Sequence, residues 1–121
     1  MHKTLVLGAS LKTNRYSNMA VIRLQDHNIE TEAFGVKKGN IREVQIKTNF
    51  SGFQNIHTVT LYVGTGHQPD YYGKILQLKP KRVIFNPGTE NPEFYKILKD
   101  NEIEVEVACT LVLLSTNQYT V

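Results

Sequence analysis

The feature that most constrains this 121-residue chain is an alternation. Short apolar, β-branched runs end at turn residues and give way to stretches with helical spacing. Thr4–Leu7 is an apolar strand of the buried type, and Ser17–His27 follows as a helix, with Ser17 as its N-cap and Ala20, Val21 and Leu24 on one face. Ile29–Phe34 reads as a second strand. Its glutamates alternate with Thr31 and Ala33, which places it towards a sheet edge, half solvated. Thr58–Val63 and Arg82–Phe85 are further strands, as is Glu104–Val107. Pro69–Leu78 and Asn91–Asn101 carry helical spacing, with Pro69 and Pro92 in their first turns. Gly35–Asn55 reads less plainly, with a short strand around Glu43–Ile46 and a turn at Ser51-Gly52, and Leu111–Leu114 is open to strand or helical turn. Strands separated by helices of this length imply parallel crossovers, hence an α/β fold whose mainly parallel sheet is covered on both faces. The expectation is a single domain spanning residues 1–121.

Composition removes several classes of function. No apolar run approaches the roughly 20 residues that span a bilayer, and Leu5-Val6-Leu7 is too short for a secretory signal core. The single Cys109 excludes an internal disulfide, and the chain reads as cytoplasmic. A net charge of +3, spread in short pairs such as Lys37-Lys38, suits a small polyanion better than polymeric nucleic acid. No second His, Cys or carboxylate stands at ligand spacing from His67, so no metal site is expected, and neither His67 nor Cys109 has a visible catalytic partner.

Open parallel sheets bind ligands beyond the carboxyl ends of their strands. Attention therefore falls on Gly8–Tyr16, Gly35–Asn40, Gly64–Asp70, Asn86–Asn91 and Ala108–Thr110. Gly8-Ala9-Ser10 offers a tight turn, a hydroxyl donor and amide groups able to face an anion near the helix start. It lacks the later glycines of a dinucleotide fingerprint, Ser10 and Thr13 standing in their places. Glu32 lies inside the second strand, not at its end, and Lys37 and Lys38 follow, which disfavours the bare ribose of NAD and leaves NADP or another phosphate-rich nucleotide open. Gly64-Thr65-Gly66-His67 can turn over a flat ligand, with Thr65 and His67 as hydrogen-bonding groups. Asn86-Pro87-Gly88 offers an amide side chain and a glycine suited to positive φ.

Taken together, "VLGASLKTNRYSNMAVIRL", "TVTLYVG", "RVIFNPGTENPEF" and "EVEVACTLVLL" resemble the stand-alone CoA-binding domain proteins. These are small relatives of the N-terminal nucleotide domain of the succinyl-CoA synthetase α-subunit. The resemblance runs the length of the chain and is weakest between Gly35 and Asn55. It implies a Rossmann-like three-layer αβα sandwich with CoA or an acyl-CoA across the strand ends. The pyrophosphate would sit at Gly8, Ala9 and Ser10, near the Arg15-Tyr16-Ser17 segment, with Arg15 as counter-charge. The adenosine end would lie beside Val36, Lys37 and Lys38, where the family commonly carries Val-Asn-Pro. The pantetheine arm would pass Gly64 and Thr65 towards Asn86, Pro87 and Gly88. In the synthetases the catalytic machinery lies outside this domain, so the resemblance implies a small-molecule binding module without catalysis, nucleic acid or membrane. The competing expectation is an NAD(P)-binding oxidoreductase or redox sensor on the same fold.

Overall fold

The computed structural model describes residues 2–120. Seven strands form one sheet in the order β3-β4-β2-β1-β5-β6-β7. They are β1 (Thr4–Leu7), β2 (Thr31–Phe34), β3 (Gly39–Ile41), β4 (Val44–Lys47), β5 (Thr58–Leu61), β6 (Arg82–Phe85) and β7 (Glu104–Val107). All neighbours are parallel except the β3–β4 hairpin at one edge. Among the described residues, four α-helices, α1 (Tyr16–Asp26), α2 (Tyr72–Leu78), α3 (Pro92–Asp100) and α4 (Thr110–Ser115), join a 3₁₀ helix at Thr65–Tyr71. Among the described residues, no helix is long and apolar enough to cross a membrane.

Successive strand residues point to opposite faces, so each strand feeds two cores. Leu5, Leu7, Val59, Leu61, Val83 and Phe85 pack on one face against Ile75 of α2 and Phe94 and Leu98 of α3. Val6, Ala33, Ile46 and Ile84 pack on the other against Val21 and Leu24 of α1 and Leu113 and Leu114 of α4. The result is the three-layer α/β arrangement of a Rossmann-like fold.

Several local readings change. β2 is an interior strand between β1 and β4, because the β3–β4 hairpin takes the edge. Its alternation still has a cause. β4 pairs only with Ala33 and Phe34, so the first half of β2 stays partly open, and Glu32 meets Lys3 at 3.1 Å and Lys47 at 3.4 Å. α1 begins at Tyr16 after an extended Arg15 whose side chain caps nothing, and Ser17 is buried inside the first turn. Pro69 lies within the 3₁₀ helix, and α2 starts only at Tyr72. Lys79 ends α2 in the left-handed region, at φ 50°. Leu111–Leu114 belongs to α4, whose Leu113 and Leu114 cover α1 while Val112 stays exposed. α3 starts one residue later than its spacing suggests, and Asn91 caps it: Asn91 Oδ1 accepts from Phe94 N at 3.2 Å, with Pro92 at the first helical position.

Beneath the N-terminal strand ends lies a buried cation, Arg82. Its Nη1 donates to Glu106 Oε1 (3.1 Å) and to the Tyr119 carbonyl (2.9 Å), and its Nε donates to Thr58 Oγ1 (3.1 Å). The guanidinium carbon stands 4.6 Å from the Tyr119 ring centroid, and the Tyr119 hydroxyl meets Thr4 Oγ1 at 2.6 Å. This network ties the C-terminal segment to β1, β5, β6 and β7. Arg82→Ala leaves Glu106 and the Tyr119 carbonyl without their cation. It is expected to lower unfolding free energy by about 3 kcal/mol, read as a fall in the urea midpoint.

His57 lies beside the same network, its ring centroid 4.0 Å from that of His2. Burial first, then the neighbouring His2, Arg82 and Lys81, lowers the pKa of His57 from 6.5 to about 4. The unfolded chain therefore takes up this proton more readily than the folded one. Stability is expected to fall as pH drops from about 6.5 and to stop responding to this group near 4. Urea midpoints measured from pH 7 to 4 should show a shallower acid decline in His57→Asn than in the parent chain.

Candidate functional site

Register builds the site. Leu7 is level with Phe34 on one side and Leu61 on the other, so three neighbouring strands end together. The Gly8 and Ala9 amides both donate to the Phe34 carbonyl at 2.9 Å, and the Tyr62 amide donates to the Leu7 carbonyl at 2.8 Å. Gly8 turns at φ 100°, and a Cβ there would stand 3.0 Å from the Tyr62 carbonyl carbon. Its glycine is thus required by the approach to β5. Gly35 is tighter still, since a Cβ would come within 2.4 Å of the Ala9 carbonyl oxygen. Asn18, buried in α1, donates from its amide to the Ser10 carbonyl at 2.9 Å and fixes the loop from behind.

Over these ends opens a cavity of about 650 Å³, within the size range of small-molecule sites. The β1–α1 loop contributes Gly8, Ala9, Ser10, Leu11, Lys12 and Arg15. The end of β2 adds Phe34, Gly35, Val36 and Lys37, and the segment after β5 adds Val63, Gly64, His67, Asp70 and Tyr71. Three cationic side chains, Lys12, Arg15 and Lys37, thus face one volume, and none pairs with a carboxylate among the described residues. Ser10 Oγ accepts from the Lys12 amide at 3.1 Å, which leaves its hydroxyl hydrogen available to an acceptor in the cavity. Leu11, Phe34, Val36, Val63 and Tyr71 supply apolar wall, and Val36 is 87% exposed. Such a volume suits a ligand with an anionic portion and a flat or apolar one.

Of the residues singled out from sequence, Gly8, Ala9, Ser10, Arg15, Val36, Lys37, Gly64 and His67 line this cavity. The other candidates for ligand contact lie elsewhere. Tyr16 is exposed beyond Arg15, Ser17 is buried in α1, and Lys38 is exposed outside the lining set. Thr65 Oγ1 donates to the Glu90 carbonyl at 2.7 Å. Asn86 is only 1% exposed, so its amide does not face the crevice. Its Nδ2 donates to Thr60 Oγ1 (2.7 Å) and the Leu61 carbonyl (2.9 Å), while its Oδ1 accepts from the Thr110 amide (2.9 Å). Pro87 and Gly88 are exposed past it, and Gly88 has the positive φ expected, 92°. Cys109 is partly buried at the start of α4, outside the lining set. Nearby, burial and then the Cys109 side chain raise the pKa of Tyr62, keeping its phenol neutral.

Lys12, Asp70 and Tyr71 were not singled out. Lys12 shares the loop of Ser10 and Arg15, which was a sufficient signal. Asp70 and Tyr71 were hidden by the reading of a helix from Pro69, whereas the 3₁₀ helix turns them towards the cavity.

The CoA binding domain family matches residues 2–115. A solved structure of an uncharacterized protein is 47% identical, covers 98% of each chain and superposes with a TM-score of 0.94. Cell-free ID.343 from Thermus thermophilus is 19% identical over 96% of this chain and 89% of its own, with a TM-score of 0.84. A hypothetical protein from Pyrococcus horikoshii OT3 is 21% identical over 95% and 82%, with a TM-score of 0.85. These last two share the fold. No curated protein matches the chain.

The contact between Gly35 and the Ala9 carbonyl predicts a sharp penalty for a single methyl group. Gly35→Ala must push the β1–α1 loop off the end of β2. It is expected to cost about 1–3 kcal/mol, measured by urea unfolding.

Proposed function

The chain belongs to the CoA binding domain family, and from that premise we propose that its cavity binds CoA or an acyl-CoA. The carrying observation is that a single cavity joins the Gly8–Ser10 turn, Arg15 and Lys37. In this reading the pyrophosphate lies against the Gly8–Ser10 turn, where Arg15 makes a charge-assisted contact. The adenosine end lies by Val36 and Lys37, and the pantetheine arm leaves over Gly64. Lys12, on the same loop, adds a further cation to the phosphate-binding wall. The whole chain acts as one binding domain, as a module without catalysis of its own, in the cytoplasm.

The NAD reading has less support. A ribose diol needs a carboxylate at the end of the second strand, whereas Glu32 sits inside β2 and is occupied by Lys3 and Lys47.

Thermal unfolding in the presence of CoA, acetyl-CoA, NADH and NADPH tests the proposal. CoA or acetyl-CoA should raise the midpoint with concentration, reaching about 2.7 kcal/mol of stabilisation at a hundredfold excess over Kd. Stabilisation by a nicotinamide cofactor alone sinks the CoA reading. Arg15→Ala should weaken CoA by roughly 10- to 100-fold in calorimetric titration, the equivalent of about 1.5–3 kcal/mol for a hydrogen bond to a charged group.

A further inference from the structure

A 3₁₀ helix has three residues per turn, so side chains three apart lie above one another. Gly64, His67 and Asp70 therefore form a stripe, and all of them line the cavity. Gly64 has an ordinary φ of −61°, and a Cβ on it would meet nothing within 4 Å. Neither backbone strain nor packing asks for glycine there. Its effect is to leave that part of the cavity wall without a side chain.

The helix that carries His67 is held firmly. The His67 amide donates to the Gly64 carbonyl at 2.9 Å, and Gln68, 1% exposed, donates to the Val63 and Thr89 carbonyls at 2.9 and 2.8 Å. Asn91 Nδ2 in turn donates to Gln68 Oε1 at 2.8 Å. The imidazole is thus presented to the cavity by a pinned turn, not by a loose loop. The charged and titratable groups sharing that cavity are Lys12 and Arg15 from the β1–α1 loop, Lys37 from the end of β2, and Asp70 and Tyr71 from its own helix. Of these side-chain types, histidine is the one that exchanges its charge near neutrality. Asp70 follows one turn later, about 6 Å along the axis.

Resting on the reading of this cavity as the CoA site, we propose that His67 is a ligand-contacting residue that joins Lys12, Arg15 and Lys37 as a fourth cation when protonated. Binding of the phosphate-bearing ligand then tightens as pH falls through the histidine range. A ligand phosphate monoester would blur this, because it loses charge in the same range. Dephospho-CoA keeps the pyrophosphate and lacks the monoester, so it is the probe to use.

Calorimetric titration with dephospho-CoA at pH 8, 7, 6 and 5.5 tests the contact, with circular dichroism confirming the fold at each pH. The parent chain should bind about three- to tenfold tighter at pH 5.5 than at pH 8, the range for a partly exposed charge pair. His67→Gln should bind at every pH with the weaker affinity, and His67→Lys with the tighter one. Equal pH dependence in the parent and His67→Gln, or pH-independent binding by the parent, overturns the His67 contact and leaves the CoA reading standing. Failure of the folded parent to bind the probe at any pH, together with no stabilisation by CoA, overturns both.

Discussion

The level parallel register of β1 with β2 and β5 is the constraint on which the rest of the molecule depends. Thr4 to Leu7 run in step with Thr31 to Phe34 and with Thr58 to Leu61. Buried backbone groups must find partners, so the chain leaving Leu7 pairs at once with the Phe34 carbonyl on one flank, while Tyr62 pairs back onto Leu7 on the other. A slip of one residue would turn Val6 and Ala33 to the wrong face and break both cores. It would also stagger the strand ends, so the loops carrying Arg15, Lys37 and His67 would no longer border one volume.

Polar interiors hold that register at both ends of the sheet. At the C-terminal ends, Asn86 binds Thr60, Leu61 and Thr110, and the Thr60 and Thr110 hydroxyls meet at 2.7 Å. At the N-terminal ends, Arg82 and Tyr119 bind Thr4, Thr58 and Glu106. Leaving such groups unpaired in the interior is costly, so each network selects one arrangement of the strands it joins. Asn86 is thereby a structural residue of the strand ends, and the cavity lies to one side of it, over β1, β2 and β5. The floor beneath the cavity-lining loops is tied by these networks, while the cations above it project from exposed loop positions.

Much of this was legible in residues whose local chemistry and tertiary surroundings agree. Thr4–Leu7, Arg82–Phe85 and Glu104–Val107 are strands with the bounds their apolar or alternating runs imply, and α3 begins at Pro92, the residue that marks its first turn in the sequence. The β3–β4 hairpin was only partly legible, because Gly39–Ile41 is short and takes its strand character from pairing with Val44–Ile46. Leu111–Leu114 has no periodicity to separate strand from helix, and its packing against α1 decides the matter. In the candidate site, the Gly8–Ser10 turn, Arg15, Val36, Lys37 and Gly64 were visible as loop residues after strands. Asp70 and Tyr71 were not, since their direction follows from a 3₁₀ turn that spacing does not announce.

The sequence by itself determined the alternating α/β pattern, the location of the glycine-bearing loops after parallel strands, and membership of a CoA binding domain family. These follow from short-range chemistry: β-branched runs, caps, prolines, and glycines at turns. Only the tertiary structure decided which loops share a cavity, that Asn86 is spent inside the protein, and that His67 lines the same cavity as Lys12, Arg15 and Lys37. Those facts depend on strand order, and strand order arises from long-range burial and hydrogen bonding between segments far apart in the chain.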